Sequence, residues 1–428
     1  MKHSNLKTKC SYVVMGLGQF LYGQRIKGIL YMGILAIYLI YLFTQGISDM
    51  TGLFTLGTTE GDPWLGTKGD DSIIMMLKGI LSFMILGAVI IFYLCNIRDI
   101  KNIQKLAESG RRAPGFLKSV ESFVDKKFYV VALFAPVVGV LIFNVLPIVF
   151  MILIAFTNYG GNIVPPKLID WVGFDNFKQI FAMSGIKETF FRILSWNIVW
   201  AVCATVINYF CGLFLALLLN KRCVKGKTFW RAFPIIAYAV PGFITLLGFK
   251  FMFSYGGPIN YYIKALGGSS IGFLDIDAGN KARLIGLLVN AWISVPTSML
   301  LATGILSNMN NELYEAASLD GAGRWKQFTK LTLPFVVFST TPTLITGFVG
   351  NFNNFGVFYF LRGGLYLDDY FLASDTDLLI NWLYNLSIDN NYYGIGAAVS
   401  LIIFVITSVI SLSTYVNSSA FKKEDTFR

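Results

Sequence analysis

Charged residues are scarce in this sequence of 428 residues. Asp, Glu, Lys and Arg make up 14% of it, whereas 55% of the residues are hydrophobic. A soluble domain of this size carries about a quarter charged residues, so the composition argues against one large soluble core. Histidine occurs once, as His3, which excludes histidine-based catalysis and a histidine metal cluster. The five cysteines lack zinc-ligand spacing, and none lies in a segment predicted outside the membrane, so no disulfide framework is expected.

In place of charged residues, the sequence has long apolar runs as its main feature. A helix needs about 20 apolar residues to cross the hydrocarbon core of a bilayer, and runs of about this length recur along the chain. They predict an all-α, polytopic membrane protein with about eight transmembrane helices, here called spans one to eight. The predicted spans are 28–45, 73–95, 129–156, 194–219, 233–253, 284–306, 334–360 and 395–416.

The distribution of basic residues predicts the orientation of these spans. The net charge of +11 would by itself also suit a nucleic-acid-binding protein. With the amino terminus inside, however, the inside segments hold 24 Lys or Arg and the outside segments 9, while acidic residues number 9 inside and 15 outside. Such a bias is typical of multi-pass membrane proteins, whose basic loops are cytoplasmic. We therefore expect a multi-pass membrane protein with both termini in the cytoplasm and no nucleic-acid partner.

The loop between spans six and seven, residues 307–333, has the most informative pattern. Residues 311–319 favour a short helix, and residues 320–323 break it, because Gly321 takes a left-handed conformation at little cost. Residues 324–331 resume as a second amphipathic piece. These features predict a helix-turn-helix elbow at the cytoplasmic face of the membrane.

The same loop resembles a known coupling element. It has the form E-A-A, three residues, Gly, nine residues and Leu-x-Leu-Pro, and it ends at Pro334, which suits the first turn of span seven. This pattern resembles the cytoplasmic loop by which ABC importer permeases dock onto their ATPase subunits, with Leu331 where Ile is common. The resemblance implies ATPase-docking roles for Glu315, Ala316, Ala317, Asp320, Gly321, Ala322 and Gly323.

Further motifs narrow the resemblance to one type of permease. These motifs are Tyr-Ala-Val-Pro at 238–241, Val-Asn-Ala-Trp at 289–292 and Asn-Phe-Asn-Asn-Phe at 351–355. With them the chain resembles the larger, MalF-type permease of binding-protein-dependent maltose and maltodextrin importers. The resemblance implies a type I ABC importer permease core of six helices at 128–420. Before it come a lead-in, two spans and a basic cytoplasmic linker at 1–127, and after it a cytoplasmic tail at 421–428.

The resemblance also implies a place in the bacterial cytoplasmic membrane, a function and a set of partners. The chain would be the permease subunit of an ATP-driven importer of malto-oligosaccharides and form half of the translocation path. Its partners would be a second related permease subunit, two ATPase subunits, an extracellular solute-binding protein, the oligosaccharide and the lipid bilayer. The chain itself would need no catalytic residue, metal or cofactor, because ATP and Mg²⁺ would bind the partner ATPase.

Amide side chains within the spans are candidate sugar ligands. A buried amide is costly in hydrocarbon unless it is paired, so these side chains should face other helices or a cavity. Amides donate and accept hydrogen bonds, as sugar hydroxyls require, and aromatic rings could offer faces to a pyranose. The candidate amides are Asn290, Asn351, Asn353 and Asn354, and the candidate rings are Tyr238, Trp292, Phe352 and Phe355. Hydrogen bonding between helices is the alternative role.

The resemblance implies a translocation site drawn from spans five to seven. The matching positions are Tyr238, Gly242, Asn290, Ile293, Ser294, Thr297, Gly347, Gly350, Asn351 and Asn354. Four positions depart from the enteric pattern towards less side-chain volume. Gly242 and Gly347 stand where serines are expected, Thr297 stands for an aromatic hydroxyl, and Gly350 stands for a phenyl ring. We therefore expect a roomier site that favours longer malto-oligosaccharides, or another oligosaccharide, over a tight disaccharide fit.

Other functions stay open at the level of the sequence. A permease for galacto- or xylo-oligosaccharides would share these motifs. An ion-coupled secondary sugar carrier would need acidic residues within its spans, and the predicted spans hold almost no charge. Lys250, near the outer end of span five, can extend to the interface. A membrane-embedded enzyme would need clustered acids with a paired base, which the acidic loop 361–394 lacks.

Overall fold

The computed structural model describes residues 6–61, 69–110, 114–165, 167–221 and 223–417. Contacts within the chain divide it into two compact units, Met1–Gly173 and Phe174–Arg428. The sequence-based boundary at 127/128 differs because it assigns span three to the permease core, and that assignment stays a prediction. His3, residues 111–113 of the basic linker and the predicted tail 421–428 lie outside the described residues.

The first unit consists of helices and their connecting loops. Its helices are α1 (Leu6–Val13), α2 (Leu17–Leu21), α3 (Arg25–Tyr41), α4 (Ile47–Thr55), α5 (Ser72–Glu108), α6 (Phe116–Lys126), α7 (Phe128–Val140) and α8 (Leu146–Ile154). Helix α5 begins at an N-cap: the Asp71 side chain accepts hydrogen bonds from the backbone N–H groups of Ile73 (3.0 Å) and Ile74 (3.1 Å). Such a cap satisfies donors that the first helical turn leaves unpaired.

The second unit is built around α10 and is also helical. Its helices are α9 (Asp175–Ala182), α10 (Ser184–Asn220), α11 (Lys227–Ala239), α12 (Gly242–Phe253), α13 (Pro258–Ala265), α14 (Gly279–Ser307), α15 (Asn311–Leu319), α16 (Arg324–Gln327), α17 (Leu333–Phe352), α18 (Gly356–Arg362), α19 (Leu379–Tyr384) and α20 (Tyr393–Asn417). Helix α10 packs mainly against α14 and α17. The buried rings of Trp200 on α10 and Phe358 on α18 lie 4.8 Å apart between centroids and anchor its core.

All eight predicted spans coincide with helices. Within the described residues, the segments long and apolar enough to cross a membrane are Arg25–Thr55, Ser72–Glu108, Phe128–Ile154, Ser184–Asn220, Gly279–Ser307, Arg324–Arg362 and Tyr393–Asn417. The remaining span, the fifth, corresponds to the pair α11 and α12. Since the described chain forms no strand beyond isolated bridges, the predicted all-α, multi-pass architecture is confirmed.

Span five is not the continuous helix that the sequence predicts over 233–253. Helix α11 ends at Ala239, Val240 is extended with ψ of 130°, and α12 begins after Pro241. Proline has no N–H to donate, and its ring disfavours the helical conformation of the preceding residue. Pro241 therefore breaks the span, and the two helices meet at 89°.

Span seven reaches further into the preceding loop than the sequence predicts. Helix α16 continues through a π-helical turn at Phe328–Thr332 directly into α17. Pro334 therefore lies inside a longer helical segment instead of starting one, and a π-helical adjustment beside it accommodates its missing N–H. The segment is interrupted at residues 353–355 before α18 resumes it.

The lead-in of the first unit packs through polar side chains and a glycine. Ser11, Gln19 and Asn96 are fully buried; Gln19 Nε2 donates to Asn96 Oδ1 (2.8 Å), and Ser11 Oγ donates to Gln19 Oε1 (3.0 Å). A Cβ atom on Gly18 would lie 2.7 Å from the backbone oxygen of Lys7, so a larger residue does not fit there. Close packing therefore explains one of the lead-in glycines, whose role the sequence leaves open.

Candidate functional site

A cavity of about 390 Å³ lies between α10, α11, α14 and α17 of the second unit. It is lined by Thr205, Asn208, Tyr209, Tyr238, Ile293, Ser294, Thr297, Ser298, Leu301, Thr340, Thr343, Leu344, Gly347, Gly350, Asn351 and Asn354. Amides and hydroxyls predominate among these side chains, and none of them is an Asp, Glu, Lys, Arg or His. The lining therefore offers hydrogen bonds to a neutral, hydroxyl-rich ligand and no countercharge to an anionic one.

Eight of the ten predicted substrate positions line this cavity. They are Tyr238, Ile293, Ser294, Thr297, Gly347, Gly350, Asn351 and Asn354. Gly242 is not among the lining residues, because the break in span five places it at the start of α12. Asn290 does not line the cavity either: it is 3% exposed and packs behind the wall.

The amides of spans six and seven form a hydrogen-bonded cluster. Asn354 Nδ2 donates to Asn290 Oδ1 (3.2 Å), and Asn290 Nδ2 lies 3.4 Å from Asn351 Oδ1. Asn351 Nδ2 in turn donates to Thr205 Oγ1 on α10 (3.0 Å). Asn290 thus supports two residues of the cavity wall from behind. Asn353 differs from the expectation, because it is exposed and donates back to the Val349 carbonyl of its own helix.

The glycines of α17 leave space in the cavity. A Cβ atom added to Gly347 or Gly350 would meet no atom within 4 Å. Both residues line the cavity, so their missing side chains add directly to its volume. The geometry agrees with the expectation of a roomy site at these two positions.

Of the four aromatic residues that the sequence suggests as ring platforms, one lines the cavity. Tyr238 does so and is 59% exposed. Phe352 is fully buried, and Phe355 stacks on Tyr359 with ring centroids 4.5 Å apart. Trp292 lines a different, apolar cavity beside the break in span five. Of the four rings that could have offered a face to a pyranose, Phe352, Phe355 and Trp292 do not line this cavity.

Sequence reasoning missed a wall contributed by span four. Thr205, Asn208 and Tyr209 of α10 line the cavity, and the Tyr209 hydroxyl lies 2.9 Å from Thr340 Oγ1 on α17. Their spacing of three and four residues places them on one helix face. That polar face within an apolar run was the available signal.

The elbow between spans six and seven has the predicted geometry. Helix α15 covers Asn311–Leu319, and Gly321 follows with φ of +76°, in the left-handed region. The turn is closed by hydrogen bonds from Ala322 N to Ala317 O (2.9 Å) and from Gln327 Nε2 to Ala322 O (3.1 Å). The turn is therefore a defined structure that a glycine in the left-handed region makes possible.

The elbow presents apolar side chains on its surface. Leu319 is 90% exposed and Trp325 is 76% exposed, and Glu315 is exposed on the same short helix as Leu319. At its base the Tyr314 hydroxyl lies 2.8 Å from Thr332 Oγ1, which ties α15 to the start of span seven. Leu319 and Trp325 thus form an exposed apolar surface that a partner protein could cover.

Comparison with known proteins places the chain among membrane transport proteins. The model of the family described as "binding-protein-dependent transport system inner membrane component" matches residues 208–423. The maltodextrin transport system permease protein MalC of Streptococcus pneumoniae is 32% identical over 425 residues, which cover 96% of either chain. The galactooligosaccharides transport system permease protein GanP of Bacillus subtilis is 33% identical and covers 99% of this chain and 100% of its own.

A solved structure shares the fold. A chain of a bacterial ABC transporter involved in the import of the acidic polysaccharide alginate has a TM-score of 0.56 at 22% identity, and the match covers 69% of this chain and 97% of the other. At that identity the likeness concerns the fold alone. The family match and the full-length relatives above 30% identity establish that this chain belongs to the binding-protein-dependent transport system inner membrane components.

Proposed function

We propose that this chain is a permease subunit of an ATP-driven, binding-protein-dependent importer of malto-oligosaccharides and forms half of its translocation path. The MalC relative, named a maltodextrin permease, supports the substrate class along nearly the whole chain. The observation that carries the proposal is the uncharged, hydroxyl- and amide-lined cavity at which eight positions implied by the family resemblance meet. A neutral sugar suits this lining, whereas an anionic substrate such as a glycerol phosphate would need basic groups there.

Within the cavity, Asn351 and Asn354 would hydrogen-bond sugar hydroxyls, together with Ser294 and Thr297. The Tyr238 ring would pack against the apolar face of a pyranose. Gly347 and Gly350 would leave room for a further sugar unit, and Asn290 would hold the two neighbouring amides in place. Gly242 and Ile293 complete the proposed set, with Gly242 acting through the bend of span five. The hydrogen bonds would replace those that the sugar hydroxyls lose on leaving water, and so avoid the cost of unpaired polar groups.

The elbow would couple this chain to ATP hydrolysis in another subunit. Glu315, Ala316 and Ala317 on α15, with the turn at 320–323, would insert into a groove of the ATPase. Because α16 continues into α17 without a break, a displacement of the elbow would move span seven, which carries Asn351. ATP and Mg²⁺ would bind the partner, and this chain would supply no catalytic residue.

The complete importer would contain a second permease subunit, two ATPase subunits and an extracellular solute-binding protein, with both termini of this chain in the cytoplasm. The excess of Lys and Arg in the predicted inside segments supports that orientation. ATP binding would close the ATPase subunits and favour an outward-facing cavity. To invert a 1:99 preference between the two states, ATP and the binding protein must together supply about 5.5 kcal/mol of differential binding.

A galacto-oligosaccharide is the second candidate substrate. The GanP relative matches this chain over its whole length at the same level of identity as the maltodextrin permeases. Its sugars are also neutral and rich in hydroxyls, so the composition of the cavity suits both classes. The two classes of sugar differ in the geometry of their glycosidic linkages, and a transport experiment with both must decide which one this chain carries.

The test is sugar-stimulated ATPase activity of the reconstituted complex. The chain would be assembled in proteoliposomes with the neighbouring permease, the ATPase and the binding protein, and malto-oligosaccharides of increasing length would be compared with galacto-oligosaccharides. We expect stimulation by maltotriose and longer chains. Stimulation by galacto-oligosaccharides alone would make these the substrate in place of malto-oligosaccharides. A stable complex that no sugar stimulates would overturn the proposed function.

A further inference from the structure

A buried amide of span four has no partner for its side-chain oxygen. Asn208 on α10 is 6% exposed and lines the cavity, and its Oδ1 atom accepts no hydrogen bond from the described residues. A buried carbonyl oxygen left unpaired is destabilising, because it loses its hydrogen bonds to water on folding. An unpaired group that faces a cavity is therefore open to a hydrogen bond from water or from a ligand there.

A second amide on the same helix shows how a structural asparagine differs. Asn197 is fully buried; its Oδ1 accepts from the backbone N–H of Leu379 (2.8 Å), and its Nδ2 donates to the Phe352 carbonyl (3.0 Å). Asn197 thus ties α10 to two other segments. Asn208, at similar burial, has no such tie from its Oδ1, so helix packing does not account for it.

The position of Asn208 extends the polar lining along the cavity. Thr205, one turn earlier on α10, accepts a hydrogen bond from Asn351 Nδ2, and Tyr209, the next residue, pairs with Thr340. Asn208 lies between these two links and about 4.5 Å along the helix axis from Thr205, at ~1.5 Å per residue. It therefore faces the cavity beyond the amide cluster, in the direction of Thr340.

We infer that Asn208 is a substrate-binding residue that extends the sugar site onto span four. Its Oδ1 accepts a hydrogen bond from a hydroxyl of a sugar unit that lies beyond the unit held by Asn351 and Asn354. A disaccharide can be held at the amide cluster without reaching Asn208, whereas a longer chain that fills the cavity must pass it. Asn208 is thus a determinant of chain-length preference. The inference rests on the proposed import of a neutral oligosaccharide.

The test compares Asn208→Leu with Asn197→Leu in the reconstituted importer with its ATPase and binding protein. Both variants replace a buried amide of α10 by a side chain of similar size. For Asn208→Leu we expect an unchanged or raised melting temperature of the sugar-free complex, because an unpaired polar group is removed. Its uptake of maltotetraose relative to maltose should fall about five- to tenfold, as for one lost hydrogen bond. For Asn197→Leu we expect a lower melting temperature and no change in the ratio of the two sugars.

Two results would overturn the inference while the proposed function stands. One is Asn208→Leu transporting both sugars at the wild-type rates. The other is Asn208→Leu losing thermal stability as Asn197→Leu does, with uptake of both sugars reduced equally. A wild-type complex that is stable and imports no oligosaccharide would instead overturn the proposed function, and this inference with it.

Discussion

At the scale of single residues, the site depends on amides that hold one another and on glycines that leave space. Asn290 contacts the side chains of both Asn351 and Asn354, yet does not line the cavity. Its effect on a ligand would be exerted through the two amides that it orients. Gly350 acts in the opposite way, through the side chain that it lacks.

Replacing Asn290 tests the amide cluster. Asn290→Leu leaves one atom of Asn351 and one of Asn354 without their partner, so we expect sugar uptake to fall about tenfold or more. The ATPase subunit should still copurify, because the elbow is untouched. Asn353→Leu is the matched control: its amide is exposed and bonds its own helix, and uptake should stay at the wild-type level. Normal uptake by Asn290→Leu would contradict a role for the cluster in transport.

Filling the space at Gly350 tests the roomy site. Gly350→Phe places a ring in the cavity, and we expect uptake of maltotetraose to fall roughly tenfold relative to maltose, equivalent to ~1.4 kcal/mol of lost fit. Gly350→Ala adds a single methyl group where no atom lies within 4 Å, so it should keep the wild-type preference. The measurement is a competition assay between the two sugars in proteoliposomes. An unchanged preference in Gly350→Phe would argue that the sugar does not pass this position.

At the scale of elements, two departures from simple helices define the working parts of the second unit. Pro241 bends span five by 89°, which brings Tyr238 to the cavity wall and leaves Gly242 beyond it. The π-helical turn at Phe328–Thr332 does not break its helix, and it joins the elbow to span seven in one helical segment. A force applied at the elbow therefore reaches the segment that carries Asn351.

The turn of the elbow can be tested by two glycine substitutions. Gly321 has φ of +76°, which proline cannot adopt because its ring holds φ near −65°. We expect Gly321→Pro to insert normally and to uncouple ATP hydrolysis from uptake. Gly115, which precedes α6, has φ of −59° and open space around it, so Gly115→Ala should stay coupled. ATP consumed per sugar imported is the quantity to measure, and a coupled Gly321→Pro complex would contradict the docking proposal.

At the scale of the whole molecule, much apolar surface stays uncovered within the chain. In the apolar 18-residue stretches of the helical segments Arg25–Thr55 and Phe128–Ile154, 6% of the residues are buried. The corresponding share in Tyr393–Asn417 is 39%. Lipid or another subunit must cover the rest, as expected of a membrane chain that works in a complex. Within the second unit, polar contacts also tie loops to helices.

Arg362, at the end of α18, makes several of these contacts. Its side chain is 1% exposed, pairs with Asp375 Oδ1 (2.7 Å) and donates to Thr376 Oγ1 (3.1 Å) and to the backbone oxygens of residues 274–276. Arg362→Leu removes all of these hydrogen bonds and leaves Asp375 without its ion-pair partner, so we expect a loss of about 3 kcal/mol or more of stability. Arg362→Lys should recover part of it, because lysine lacks the planar fork of donors.

The melting temperature of the purified complex measures this effect. Lys178→Leu is the control, because Lys178 pairs with Asp175 at the surface over 2.7 Å with both side chains largely exposed, and such pairs contribute ~0.5 kcal/mol. Equal melting temperatures for Arg362→Leu and Lys178→Leu would show that the buried arginine does not hold the loops together.

The sequence by itself determined the eight spans, the all-α class and the elbow with its glycine turn, and the family resemblance implied half of the sixteen residues that line the cavity. The spans, the class and the elbow follow from local rules, since apolar length and the conformational freedom of Gly321 act within a short stretch of chain. The tertiary structure decided the rest: the bend at Pro241, the support of the site by Asn290 and the wall from span four with Asn208. Those depend on which helix faces pack together, and the pairing of a buried polar group is settled only when every neighbour is in place.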